Sequence, residues 1–198
     1  MPDTGAPWNI PYVASTDLVS DWPADSLALA NAIDAGLDAA GGLVAVKHAL
    51  FTGTQSNSTA SGANFAVTDL SITHAVADAS NKLIISAYLG AAANSYGRGN
   101  VGIAIHDGTS LINIGDADGN RSRITAGGEI GNITVFTVTM PSVTFVHTPG
   151  AGSKTYTVRA INLQTGTQTI YINRNEDNTD DAQRVRATSG LVIQEVKV

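Results

Sequence analysis

The feature that most constrains this chain is a single change of period at Gly41-Gly42. Before that pair, Leu29, Ile33 and Leu37 recur at i, i+4 and i+8 with Ala30 beside them, which places them on one stripe of a helix. Pro23 suits a first helical turn, Asp21 and Asp25 favour the positive N-terminal end of the helix dipole, and the glycine pair ends the element. After the pair the alternation is two residues long, and segments 43–52, 64–77, 81–90, 99–106, 110–115, 132–140, 142–148, 154–164, 167–174 and 189–198 read as strands. Turn formers such as Asp107-Gly108, Asp118-Gly119-Asn120 and Gly150-Ala151-Gly152 separate them. Many short strands with no helical pattern between them predict a mainly β protein, a jelly-roll-like antiparallel β-sandwich over residues 43–198. Residues 1–42 form a separate attachment segment: a Pro-rich extended arm over 1–19, followed by the helix.

A helix of about 16 residues with one narrow apolar stripe is too short to persist alone in water. Leu29, Ile33 and Leu37 are therefore the expected oligomer-interface residues, meeting their copies in a small bundle about a symmetry axis. The polar stretch Thr52–Gly62 reads as a flexible hairpin tip, and no repeat of fixed period stands out.

Composition removes several function classes. With no cysteine, thiol catalysis, zinc ribbons, iron–sulfur sites and disulfide frameworks are all excluded. A net charge of −6 without a Lys/Arg cluster argues against nucleic acid as a partner. The longest apolar runs, such as Leu43-Val44-Ala45-Val46, are far shorter than a membrane helix, so no membrane insertion is expected. The first residues lack the basic and apolar regions of a secretory signal, which predicts retention in the cytoplasm until assembly or lysis.

Catalytic motifs are equally scarce. Gly-x-Ser-x-Gly, His-Glu-x-x-His and a complete phosphate loop are absent, and Gly150–Thr155 (GAGSKT) runs into a strand as a hairpin turn. Asp116–Asn120 places oxygen-bearing side chains at alternating positions, as calcium requires, but the pattern fails at Arg121 and Gly127, leaving a plain Asp-Gly turn as the main reading. Glu176–Asp181 reads as a solvated connection between strands. His48, His74 and His147 each alternate in phase with apolar neighbours and are expected to point inward, as hydrogen-bonded core or interface histidines. The sharper alternative is a metal held by three copies of one histidine at a three-fold axis. Tyr88 and Tyr96 flank a Gly/Ala/Asn stretch followed by Arg98, and this trio is the candidate receptor contact. No catalytic residue, cofactor or metal is assigned.

Several segments carry a resemblance. PWNIPYVASTDLVSDWPADSLALANAIDAGL (Pro7–Leu37) resembles the start of many tailed-bacteriophage tail-fibre and minor structural proteins. KTYTVRA (Lys154–Ala160), Gly166-Thr167, IYIN (Ile170–Asn173) and SGLVIQE (Ser189–Glu195) are similar to the terminal β-domain of such proteins. The resemblance implies a homotrimer on the virion, attached to other virion proteins through its N-terminal arm and facing a host surface glycan or protein. A tail fibre or tail-tip component is the first expectation, a capsid head-fibre or decoration protein the second. A carbohydrate-binding or carbohydrate-active tailspike domain is the third, and the weakest, because most of the 17 acidic residues fall in turns.

Overall fold

A computed structural model describes residues 22–39, 41–93, 98–131, 138–182 and 184–198. The protein is mainly β, with antiparallel sheets packed in a sandwich-like arrangement, as the two-residue alternation predicts. The helix α1 (Trp22–Ala39) precedes β1 (Gly42–Phe51), β2 (Gln55–Thr59), β3 (Asn64–Val76), β4 (Lys82–Tyr88), β5 (Ala91–Ala93) and β6 (Arg98–His106). Then follow β7 (Leu111–Ile112), β8 (Ala126–Gly131), β9 (Ser142–His147), β10 (Gly152–Asn162), β11 (Gln168–Ile172) and β12 (Ser189–Lys197). Gly41 takes a left-handed φ of 69° just past the helix, the backbone conformation that ends helices at glycine. The chain divides into two compact units, one holding Val44–Val196 and the other including the helix and the last two residues.

One sheet runs β1-β12-β4-β9, a second β3-β10-β6-β7 with β8 also on β6, and a third β2-β11-β5. Alternation along β4 shows why the layers close. Leu83, Ile85 and Ala87 are buried while Ile84 and Ser86 are half-buried on the other face. Leu83, Ile85, Leu191 and Ile193 share one core with Ile72, Ile103, Ile105 and Tyr156 of the second sheet. Each such side chain, fully withdrawn from water, contributes about 2 kcal/mol, so this shared interior dominates stability.

Polar knots fix the strand ends. Asn173, in a left-handed conformation (φ 58°), is fully buried just after β11. Its Nδ2 donates to the carbonyls of Phe51 (2.7 Å) and Gly53 (2.9 Å), and its Oδ1 accepts from Ser189 Oγ (2.6 Å). One side chain thus ties together the ends of β1 and β11 and the start of β12. An asparagine suits this position because it tolerates positive φ and offers both donors and an acceptor.

Three expectations need correction. The stretch 52–62 is not merely a flexible tip: Gln55–Thr59 pairs along its whole length with β11. Its polar side chains hid a strand that forms because β11 presents an open edge, a tertiary effect that overrides local preference. The second is an omission: Ala126–Gly131 forms β8 against β6, a strand absent from the expected set, while of the expected strand 132–140 residues 132–137 lie outside the described residues and Thr139 bridges Ala91. The third correction concerns β1 and His48.

Candidate interaction surfaces

In β1 the alternation is real, but its phase is opposite to the expected one. Ala45 and Ala49 are half-buried and Phe51 buried, while Val44, Val46, His48 and Leu50 face outward. His48 is therefore exposed. The sequence offers two alternating sets here, and the bulkier even-numbered set looked like the inner one. The odd-numbered set faces in, with Ala45, Ala49 and Phe51 covered, and Lys47 reaches from β1 to donate to the Thr73 carbonyl of β3 at 2.9 Å. A one-residue change of phase moves every side chain of a strand to the other face.

The result is a strand whose large apolar residues lie open: Val44 is 44% exposed, Val46 51% and Leu50 53%. Beside it, the outer faces of β12, β4 and β9 present Val192, Val196, Ile84 and, at 65% exposure, Val146. Register sets Gln194, Ile84 and Val146 in one row across three strands, and Val192, Ser86 and Thr144 in the next. At a spacing of about 4.8 Å between strands, the four-stranded face is about 19 Å wide, its exposed apolar side chains concentrated on β1 and interspersed on the other strands with Gln194, Ser86 and Thr144. The outward positions of these strands carry His48 and Lys82 but no carboxylate, although the chain has 17 acidic residues. β1 also occupies the end of its sheet, where a long apolar edge invites pairing with another chain.

The helix repeats the theme. Leu27 is 63% and Ile33 43% exposed, and Leu29 is half-buried. Leu37 lies within α1, its side chain outside the described part. Leu27 was not singled out from the sequence: six residues before Ile33, it stands about 120° round the helix from it, off that stripe.

The receptor-contact trio is described only in part. Tyr88 ends β4 with its ring laid across Gly190, where an added Cβ would fall 2.6 Å from the ring, so the tyrosine packs against its own sheet. Tyr96 lies outside the described residues, and Arg98 opens β6 with its backbone paired to Gly131.

The remaining histidines do turn inward. His74 is buried and its Nε2 lies 2.7 Å from Glu195 Oε2. The other Glu195 oxygen accepts from the Ala77 amide at 2.8 Å and from Asn81 Nδ2 at 2.6 Å, which staples the β3–β4 turn to the last strand. Burial alone would raise the Glu195 carboxyl, but hydrogen bonds from Asn81, Ala77 and His74 outweigh it and hold it below its ordinary range. His147 is half-buried, edge-on to the Tyr156 ring with centroids 5.8 Å apart. Burial, helped by Lys154 and opposed by Asp107, lowers its pKa, and burial pushes the Tyr156 hydroxyl up to about 12.

Near them, Asp107 accepts from the Thr109 and Ser110 amides at 3.0 Å each and from Lys154 Nζ at 2.7 Å. Burial opposes its ionisation, but these partners prevail and hold its carboxyl well below the usual range. Both Asp107 oxygens are thus occupied in closing a turn, a clamp rather than an acid or base aimed at a substrate.

The two acidic stretches also close on themselves. Gly119 has φ 55° at the tip of the 116–120 turn, and Asp118 pairs with Arg121 at 2.6 Å. Asp177 accepts from the Thr179 hydroxyl at 2.8 Å and from Arg184 at 2.6 Å. Among the described residues, no three His, Asp or Glu side chains converge as a metal would require, and no helix is long and apolar enough to cross a membrane. Compared with known proteins, the chain matches no family profile and no curated protein.

Proposed function

We propose that this chain is a structural protein of a tailed-phage particle, working as a homotrimer that binds and does not catalyse. The observation that carries the proposal is the outward apolar face of the edge strand β1, with Val44, Val46 and Leu50 each more than two-fifths exposed. An outward strand this apolar, on a face free of carboxylates, favours being covered, and copies placed around a three-fold axis cover it by packing it against a different part of the neighbouring copy, without charge repulsion from this face. The exposed Ile33 on α1, on the stripe it shares with Leu29, supports a second self-contact through the helices. The trimer, the virion location and the attachment of the N-terminal arm to other virion proteins rest on the resemblance of Pro7–Leu37 and of the C-terminal segments to tail-fibre and minor structural proteins. A tail fibre or tail-tip component contacting a host surface glycan or protein is the first reading. A capsid head-fibre or decoration protein is the second, since that role too needs an apolar face that docks.

Labelling intact particles with an antibody to this chain tests the proposal. Label confined to the tail supports the first reading and label over the head the second. Particles that carry none of the chain refute both.

A further inference from the structure

The connection from β7 to β8, residues 113–125, is folded back on itself and fixed at both ends. Asn113 turns the chain through a left-handed conformation (φ 51°), the Gly115 amide donates to the Ile124 carbonyl at 3.4 Å, and Arg123 Nε donates to the Gly115 carbonyl at 2.6 Å. Ile124 sits in a notch that only glycines leave open: a Cβ on Gly102 or Gly127 would fall 2.7 or 2.8 Å from its side chain. On the opposite side, Gly62 (φ 71°) brings the β2–β3 turn against Ser122, its ideal Cβ position 3.2 Å from Ser122 Oγ.

Between this turn and the loop lies an open pocket of about 450 Å³, within the size range of small-ligand sites. Arg121 and Arg123 line it, no acidic residue does, and Leu111 and Ile114 supply its apolar part. Asn120 and Ser122 add amide and hydroxyl groups.

The chemistry selects a ligand class. Two guanidinium groups with no carboxylate among the lining residues suit an oxyanion, which arginine grips through paired N–H donors. Arg123 is held by its Nε, and its two Nη groups form no hydrogen bond to a described residue. Arg121 meets Asp118, but with the two side chains 82% and 68% exposed this pair contributes little, and a ligand carboxylate can replace it. No aromatic residue lines the pocket, so a neutral sugar has no ring to stack on. A long polyanion such as nucleic acid would meet a chain of net charge −6. We infer that this pocket binds an acidic saccharide unit, its carboxylate or sulfate held by Arg121 and Arg123 and its hydroxyls by Asn120 and Ser122. The saccharide rests on the host-contact part of the proposed function, whereas the oxyanion chemistry rests on the pocket alone.

Calorimetric titration of the purified full chain tests this with trigalacturonic acid, its methyl ester, a sialylated trisaccharide, a sulfated disaccharide and sodium sulfate. At least one acidic sugar is expected to bind, with its neutral or desulfated counterpart and free sulfate each about tenfold weaker or more. Arg121→Gln, at an exposed side chain that anchors no core element, is expected to weaken binding by a similar factor with an unchanged melting temperature. Arg123→Lys, which keeps the charge but loses the fork and the Nε bond to the Gly115 carbonyl, is expected to weaken binding too, with a loosened loop that Arg121→Gln does not share. Failure of every acidic sugar to bind, equal binding of the neutral forms, equal binding of free sulfate, or unchanged affinity in both variants would overturn the inference. Because binding is read on the purified chain, acidic-sugar binding by a chain that does not adsorb to host cells leaves the pocket standing and removes the host-contact reading.

Discussion

At the residue scale, the side chains that matter most are polar ones placed where polar groups are costly. Glu195 is buried to 1% exposure, yet its two oxygens take three hydrogen bonds, from His74, Asn81 and the Ala77 amide. Removing one partner of such a buried pair strands the others without water, so Glu195→Ala is expected to destabilise the β-body by about 3 kcal/mol in urea melts. A loss indistinguishable from that of an exposed substitution would show that the knot is not what fastens β12.

The same groups set the response to acid. The Glu195 carboxyl is depressed from 4.5, so its stabilisation is complete above that value and is lost as pH falls through its lower folded pKa. Asp107, also depressed, acts in the same sense from 3.8 downward. His147 is held below 6.5, so the unfolded chain takes up its proton first and acid begins to draw stability there. Thermal melts should therefore show a modest decline as pH drops below 6.5 and a steeper one below 4.5. The steeper stage should be reduced in Glu195→Ala. Stability that rose on acidification over either interval would contradict these assignments.

At the scale of elements, legibility followed side-chain contrast. Strands with strong alternation, such as β3, β4, β10 and β12, stand in the structure within a few residues of their expected limits, and Gly41 ends the helix as the sequence suggests. β2 was hidden because Gln55–Thr59 carries no apolar alternation and owes its form to β11. The phase of β1 was hidden for the opposite reason: both of its alternating sets contain apolar residues, so pattern alone does not say which faces in. Arg121 and Arg123 stand two apart in a turn read for its acidic residues, and only the approach of Gly62 from a distant turn turns them into a pocket wall.

Two element-level substitutions separate the candidate contacts. Ile33→Asp on α1 is expected to dissociate the oligomer or block attachment while the β-body stays folded, by light scattering and circular dichroism. Val46→Asp on the outward face of β1 should weaken the sheet contact in the same way, with little change in urea stability because the side chain is half in solvent already. Unchanged assembly size in both variants would leave neither surface as an interface.

At the scale of the whole molecule, the sandwich buries a shared apolar core and leaves apolar side chains open on the helix and on the sheet. Coverage by identical copies is a physical solution for both, since closed symmetry lets the same patches meet repeatedly and buried area stabilises the assembly by mass action. The most direct test is the mass of the purified chain by light scattering at micromolar concentration. The account predicts three times the 20.3 kDa of one chain, falling toward the single-chain value when Val46→Asp and Ile33→Asp are combined. A wild-type chain that stays at 20.3 kDa would contradict it.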